Sequence, residues 1–141
     1  MEIDARGPRF GAVITTVVLG LALATASPWL LFAQTLVFAV GAIAGMRNAP
    51  YALVYRFLIR PRLGPPSRFE PAAPPQFAQG VGLVIAAIGV IGYAAGLTYL
   101  GLACTAMALA AAFLNAAFDF CLGCQMYLFI RRIRPQRSAA A

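Results

Sequence analysis

Four apolar stretches set the terms for this chain: Phe10 to Ala26, Trp29 to Met46, Phe77 to Gly96 and Tyr99 to Phe120, none containing Arg, Lys or Glu. Only the last holds an acid, Asp119. With 62% hydrophobic and 11% charged residues, 141 residues cannot hide this surface in a water-soluble fold, where about half apolar and a quarter charged is usual. At 1.5 Å per residue the first two stretches reach roughly 25 Å, close to the ~30 Å hydrocarbon thickness, and flanking Arg side chains can snorkel across the difference. The expected fold is therefore all-α: a single membrane domain over 1–141, an integral membrane four-helix bundle with spans at about 10–26, 29–46, 77–96 and 99–120.

Charge gives an orientation. All eleven basic residues are Arg, at the N-terminus (Arg6, Arg9), in the central segment (Arg47, Arg56, Arg60, Arg62, Arg68) and at the C-terminus (Arg131, Arg132, Arg134, Arg137). The two tight turns, at Ser27-Pro28 and Gly96-Leu97-Thr98, carry none, so the positive-inside rule puts both termini and the central segment on the cytoplasmic side of the plasma membrane. The formal charge of +7 reads as topology, and the chain lacks the soluble basic domain that nucleic-acid binding would want. Arg6, Arg9, an apolar run and Ala24-Thr25-Ala26 also resemble a signal peptide, but Glu2 and Asp4 are unusual in such a leader.

The two halves of the chain resemble each other. Pro8-Arg9-Phe10 matches Pro75-Gln76-Phe77, each before an apolar hairpin, and Tyr55-Arg56-Phe57 matches Tyr127-Leu128-Phe129. The unit is helix, tight turn, helix and a short basic-aromatic segment. The bundle is then two repeated helical hairpins related by an axis along the membrane normal. Each is followed by a short amphipathic interfacial helix, at about 50–60 and 124–134, with Asn48 as N-cap of the first. The six prolines of 61–76 suggest an extended, polyproline-like cytoplasmic linker. Gly41 with Gly45, and Gly92 with Gly96, supply small-residue seams for packing between helices or for a homo-oligomer.

The chain has no His and no Lys, and no nucleophile-elbow Ser, P-loop or zincin motif, so candidate chemistry rests on Cys121-Leu122-Gly123-Cys124. A thiol at a helix N-terminus is acidified by the dipole and can pair with one three residues on, whereas in an unbroken helix it lacks that activation. Redox or sulfur chemistry, plain packing and metal binding all stay open, although two Cys without His leave a zinc site half built. Cys121 falls opposite Ala49 in the repeat, where Asn48 and Pro50 suggest that one helix stops and the next begins, and Gly123 would permit the same break. A reducing cytoplasm suits a cycling pair better than a structural disulfide. Cys104, too far from Cys121 along one helix to bond it, reads as packing. Asp119 is the one ionisable group within the spans, with Asn115 a turn before it on the same face. The repeat sets Asp119 opposite Arg47, which predicts an ion pair between them.

Ile3-Asp4-Ala5-Arg6-Gly7-Pro8-Arg9-Phe10, Pro50-Tyr51, Pro75-Gln76-Phe77 and above all Phe118-Asp119-Phe120-Cys121-Leu122-Gly123-Cys124-Gln125-Met126-Tyr127 carry a resemblance. Over nearly its whole length the chain resembles the uncharacterised bacterial membrane family numbered 4395 among domains of unknown function. Its most specific element is Cys-x-Gly-Cys-x-x-Tyr, here Cys121, Gly123, Cys124 and Tyr127. The resemblance implies a four-helix membrane protein encoded near thioredoxin-like and sulfurtransferase proteins, and the Arg-rich, Ala-rich composition is similar to that of actinobacteria.

The leading expectation is a cytoplasm-facing thiol pair, Cys121 attacking and Cys124 resolving, engaged in thiol–disulfide exchange or sulfur relay with a thioredoxin-like or sulfurtransferase partner. Asp119, Arg47, Asn115 and Tyr127 support it, and no cofactor or metal is expected. The alternatives are a non-enzymatic membrane scaffold or accessory subunit, and a small transporter of a sulfur-containing anion.

Overall fold

Helix boundaries follow the punctuation of the chain. In the computed structural model, which describes residues 2–4, 6–45, 48–63, 69–71, 73–118 and 120–133, the fold is all-α apart from one short ladder. Helix α1 (Arg6–Thr25) is followed by α2 (Pro28–Ile43), where the Ser27 hydroxyl accepts the Leu30 N–H and Pro28 occupies the first turn. A composite helix comes next: α3 (Pro50–Val54), a π-helical turn (Tyr55–Ile59) and α4 (Arg60–Leu63). The second half has α5 (Ala73–Ala94), α6 (Thr98–Phe118) and α7 (Leu122–Ile133). Strands β1 (Glu2–Asp4) and β2 (Phe69–Pro71) pair antiparallel, with Ile3 opposite Glu70, and tie the N-terminus to the segment before α5.

Several sequence expectations need correction. The second apolar helix ends at Ile43 rather than 46, because Gly45 takes φ +97°, a left-handed conformation that closes a helix. Gly96 (φ +83°) does the same after α5, so neither glycine packs in a seam; both face open space. Asn48 does not cap α3: its Nδ2 donates to the Ala44 carbonyl at 2.9 Å, and Ala49 stands at the N-cap without a side-chain bond. The Pro-rich segment 61–76 is not extended throughout. Pro61 lies within α4, just after a π-turn that relaxes the clash proline makes with the preceding carbonyls. Pro74 and Pro75 fall in the first turn of α5, where their missing N–H groups have no helical partner to lose.

Helix α1 packs on α2 and α6, and α5 packs on the same two; α7 lies against α5, and the α3 segment against α1. Several contacts in the first half have counterparts in the second. In α2 the buried Leu31, Gln34, Thr35 and Phe38 match the buried Gly101, Cys104, Thr105 and Ala108 of α6. Thr35 donates to the Leu31 carbonyl and Thr105 to that of Gly101, each at 2.7 Å. Ser27 and Leu97 close their turns with bonds to Ala22 and Gly92, and Ala26 and Gly96 with bonds to Leu23 and Tyr93. Phe10 meets Tyr55 at 5.6 Å between centroids, and Phe77 meets Tyr127 at 5.7 Å. Arg9 Nε and Gln76 Nε2 each reach across to the end of a helix in the other half, at Ala116 O and Ala42 O. One departure is internal: α5, with 22 residues, is longer than α1, with 20.

The interior is small and partly polar while the outside is greasy. Thr15, Gln34, Thr35 and Thr105 are buried among glycines, alanines, Leu19 and Leu31, whereas Val13, Val17, Leu21, Phe32, Leu36, Val84, Ile88, Ile91 and Met107 face outward. Helices α1, α5 and α6 are long and apolar enough to cross a membrane. Helix α2, with 16 residues, reaches about 24 Å.

Candidate functional site

The chain turns sharply between α6 and α7, and both thiols of the motif sit at that turn. Helix α6 stops at Phe118; the Phe120 N–H reaches back to the Leu114 carbonyl at 3.2 Å, and α7 begins at Leu122. Cys121 therefore occupies the N-cap of α7. Its carbonyl accepts the Gln125 N–H, the first turn of the new helix, and its Sγ lies 3.2 Å from the Cys124 N–H, the place a serine oxygen takes in an ordinary cap. This position faces the positive end of the helix dipole, which stabilises a thiolate on Cys121 once the pair is open.

Cys121 and Cys124 are joined as a disulfide, with Cα atoms 5.1 Å apart, and both are half-buried. In this state neither sulfur offers a thiolate to a metal. Cys104 is free and buried, seated against Gly89, where its Cβ stands 3.0 Å from the position a side chain on that glycine would take.

Gly123 explains the spelling of the motif. A Cβ there would stand 2.5 Å from Ala78 Cβ and 2.6 Å from Ala78 Cα, so α7 crosses α5 with backbone nearly in contact. The matching crossing in the first half reverses the sizes: Gly11 of α1 receives the Tyr51 side chain of α3, 3.6 Å from where its Cβ would be. Tyr127, one turn beyond Cys124, anchors α7 by meeting Phe77 and carries the Arg131 guanidinium over its ring at 5.9 Å.

Of the other sequence candidates, Asn115 is half-buried on the last turn of α6. Arg47 and Asp119, and with them their expected ion pair, lie outside the described residues. Sequence reasoning missed a second polar feature. Tyr51 OH donates to Gln34 Oε1 at 2.7 Å, while Gln34 Nε2 is buried without a partner. Burial pushes the Tyr51 phenol above its usual value. The isolated glutamine in an apolar run was the available signal, because a buried amide must find a partner.

The sequence profile of the family described as domain of unknown function (DUF4395) matches residues 3–132, which include the disulfide, helices α1 to α6 and all but the last residue of α7. The chain belongs to DUF4395. No curated protein and no solved structure matches it. Within DUF4395 the assignment thus covers nearly the whole helical architecture, and the case for an activity rests on the geometry at Cys121.

Proposed function

We propose that this DUF4395 chain is a plasma-membrane protein of four membrane-embedded helices, built from two repeated hairpins with both termini cytoplasmic, that carries out thiol–disulfide exchange through Cys121 and Cys124. The observation that carries the proposal is the cap: one thiol lies at a helix N-terminus, at the turn between α6 and α7, and bonds its neighbour three residues on. A merely space-filling pair would need neither the break in the helix nor the bond.

In the exchange, the Cys121 thiolate attacks one sulfur of a partner disulfide, whose S–S bond breaks and releases a thiolate. Cys124 gives its proton to solvent and attacks Cys121 Sγ. The Cys121–Cys124 bond forms, the mixed disulfide breaks, and the partner leaves with two more electrons as a dithiol after taking up two protons. The structure corresponds to the oxidised member of that couple.

Support for the membrane part comes from the outward-facing apolar side chains and from aromatic residues at the turn end, where Trp29 is 78% and Tyr99 is 88% exposed. Arginines gather at the opposite end, on the α3 to α4 segment and α7. The anion-transporter alternative finds no support, because the buried polar groups among the described residues are uncharged.

A redox titration of the full chain in lipid nanodiscs, read by alkylation of free thiols, tests the exchange. Two thiols should open and close together at one potential, with Cys121 alkylating fastest and at the lowest pH once reduced. Slow labelling of all three cysteines at one common alkaline pH would sink the proposal and leave the scaffold alternative, in which a Cys121→Ser, Cys124→Ser variant keeps all its functions.

A further inference from the structure

Helix α7 has three unlike sectors. Gly123 and Tyr127 face α5. Leu122, Met126, Phe129, Ile130 and Ile133 recur at helical spacing and are exposed, forming an apolar stripe that no other element covers among the described residues. The remaining sector holds Cys124, Gln125, Arg131 and Arg132, interrupted by Leu128. At 100° per residue Cys124 lies about half a turn from the middle of the stripe. Laid on a bilayer by that stripe, α7, which itself holds no acidic residue, turns its disulfide towards water on the sector that carries Arg131 and Arg132.

We propose that the exchange partner is a water-soluble dithiol protein with an acidic rim, which approaches along the arginine-bearing sector of α7. This rests on the thiol-exchange reading and adds the phase and charge of what exchanges. A lipid-soluble reductant would meet the apolar stripe instead, on the face away from the sulfurs. Electrostatic complementarity acts on encounter, so it appears in the association rate and its salt dependence. For reduction of the bound disulfide, a partner thiolate attacks Cys121 Sγ and expels Cys124 as a thiolate, which takes a proton. The second partner thiol loses its proton and attacks the partner's own sulfur, closing the partner disulfide and freeing Cys121. Two electrons pass to the chain.

The test measures reduction of the oxidised full chain in nanodiscs of zwitterionic lipid by four reagents: dithiothreitol, a reduced soluble CxxC protein with an acidic rim, the same protein with those carboxylates changed to lysine, and a lipid-soluble hydroquinone. The acidic protein should react at least ~10-fold faster than its charge-reversed form at low salt, and the gap should close as salt rises to about 0.5 M. Arg132→Glu should lower the rate with the acidic protein by about 10-fold and Arg132→Lys should preserve it, with dithiothreitol indifferent to both. Equal, salt-independent rates for the two proteins, or reduction by the hydroquinone alone, would overturn the inference while leaving thiol exchange intact. A pair that even dithiothreitol fails to open reversibly overturns the exchange reading itself.

Discussion

Gly123 sits between two reactive sulfurs, yet its own business is with Ala78. Because a Cβ at position 123 would land 2.5 Å from Ala78 Cβ, Gly123→Ala should push α7 off α5 and cost about 1–3 kcal/mol of stability. Unfolding in detergent followed by Tyr and Trp fluorescence measures this, and adding Ala78→Gly should return only a small part of the loss, because the Cα of residue 78 still stands 2.6 Å from the new Cβ. Tyr51 makes a second prediction. Its hydroxyl is the one partner of a buried glutamine, so Tyr51→Phe should cost about 1–2 kcal/mol, and Gln34→Leu combined with it should cost less than the single change. The raised phenol favours the neutral form in the folded state, so its contribution is complete below the unfolded value near 10.0 and fades as pH climbs through the folded one. Alkaline absorbance titration should find a late-ionising tyrosine that Tyr51→Phe removes. In the sequence Gly123 was legible as a site where a helix can break. That α5 presses on it was not, because the crossing of two segments far apart in sequence leaves no local mark.

At the scale of elements, the two tight turns share a closing pattern of hydrogen bonds and differ in one residue. Ala26 holds φ +50° where Gly96 holds +83°, and a left-handed alanine pays a steric penalty that glycine avoids. Ala26→Gly should therefore raise thermal stability by roughly 0.5–1 kcal/mol, a small upward shift in Tm, while Gly96→Ala should lower it. The apolar helices begin and end within a few residues of the apolar stretches because apolar periodicity and Pro, Ser and Gly signals agree at most of their ends. The reading failed where one residue has two grammatical roles. Gly45 and Gly96 complete a small-residue spacing on paper but serve as stops, and Asn48 looks like a cap for α3 while it binds back to α2. The thiol site was half visible: the match to Asn48-Ala49-Pro50 allowed a break before Cys121 without deciding it, and the bond needed the cap geometry of the folded chain.

For the whole molecule, the proposed topology places Arg62 and Arg132 on one side of the membrane and Trp29 and Tyr99 on the other. Single reporter cysteines at these four exposed positions, in a chain otherwise free of cysteine, should label in two pairs from opposite sides of sealed vesicles. Any mixed pairing overturns the orientation. The inward polar residues were hard to read beforehand, since a threonine in an apolar run can bond its own helix and carry no sign of where it points, as Thr35 and Thr105 do. The two arms, the α3 to α4 segment and α7, have a different consequence. The Phe10–Tyr55 and Phe77–Tyr127 contacts hold both arms against their helices in the same way, but sulfur is present in only one. The molecule thereby contains its own reference channel. Whatever solvent, lipid or temperature does to both arms is background, and whatever it does to the second arm alone belongs to the cystine.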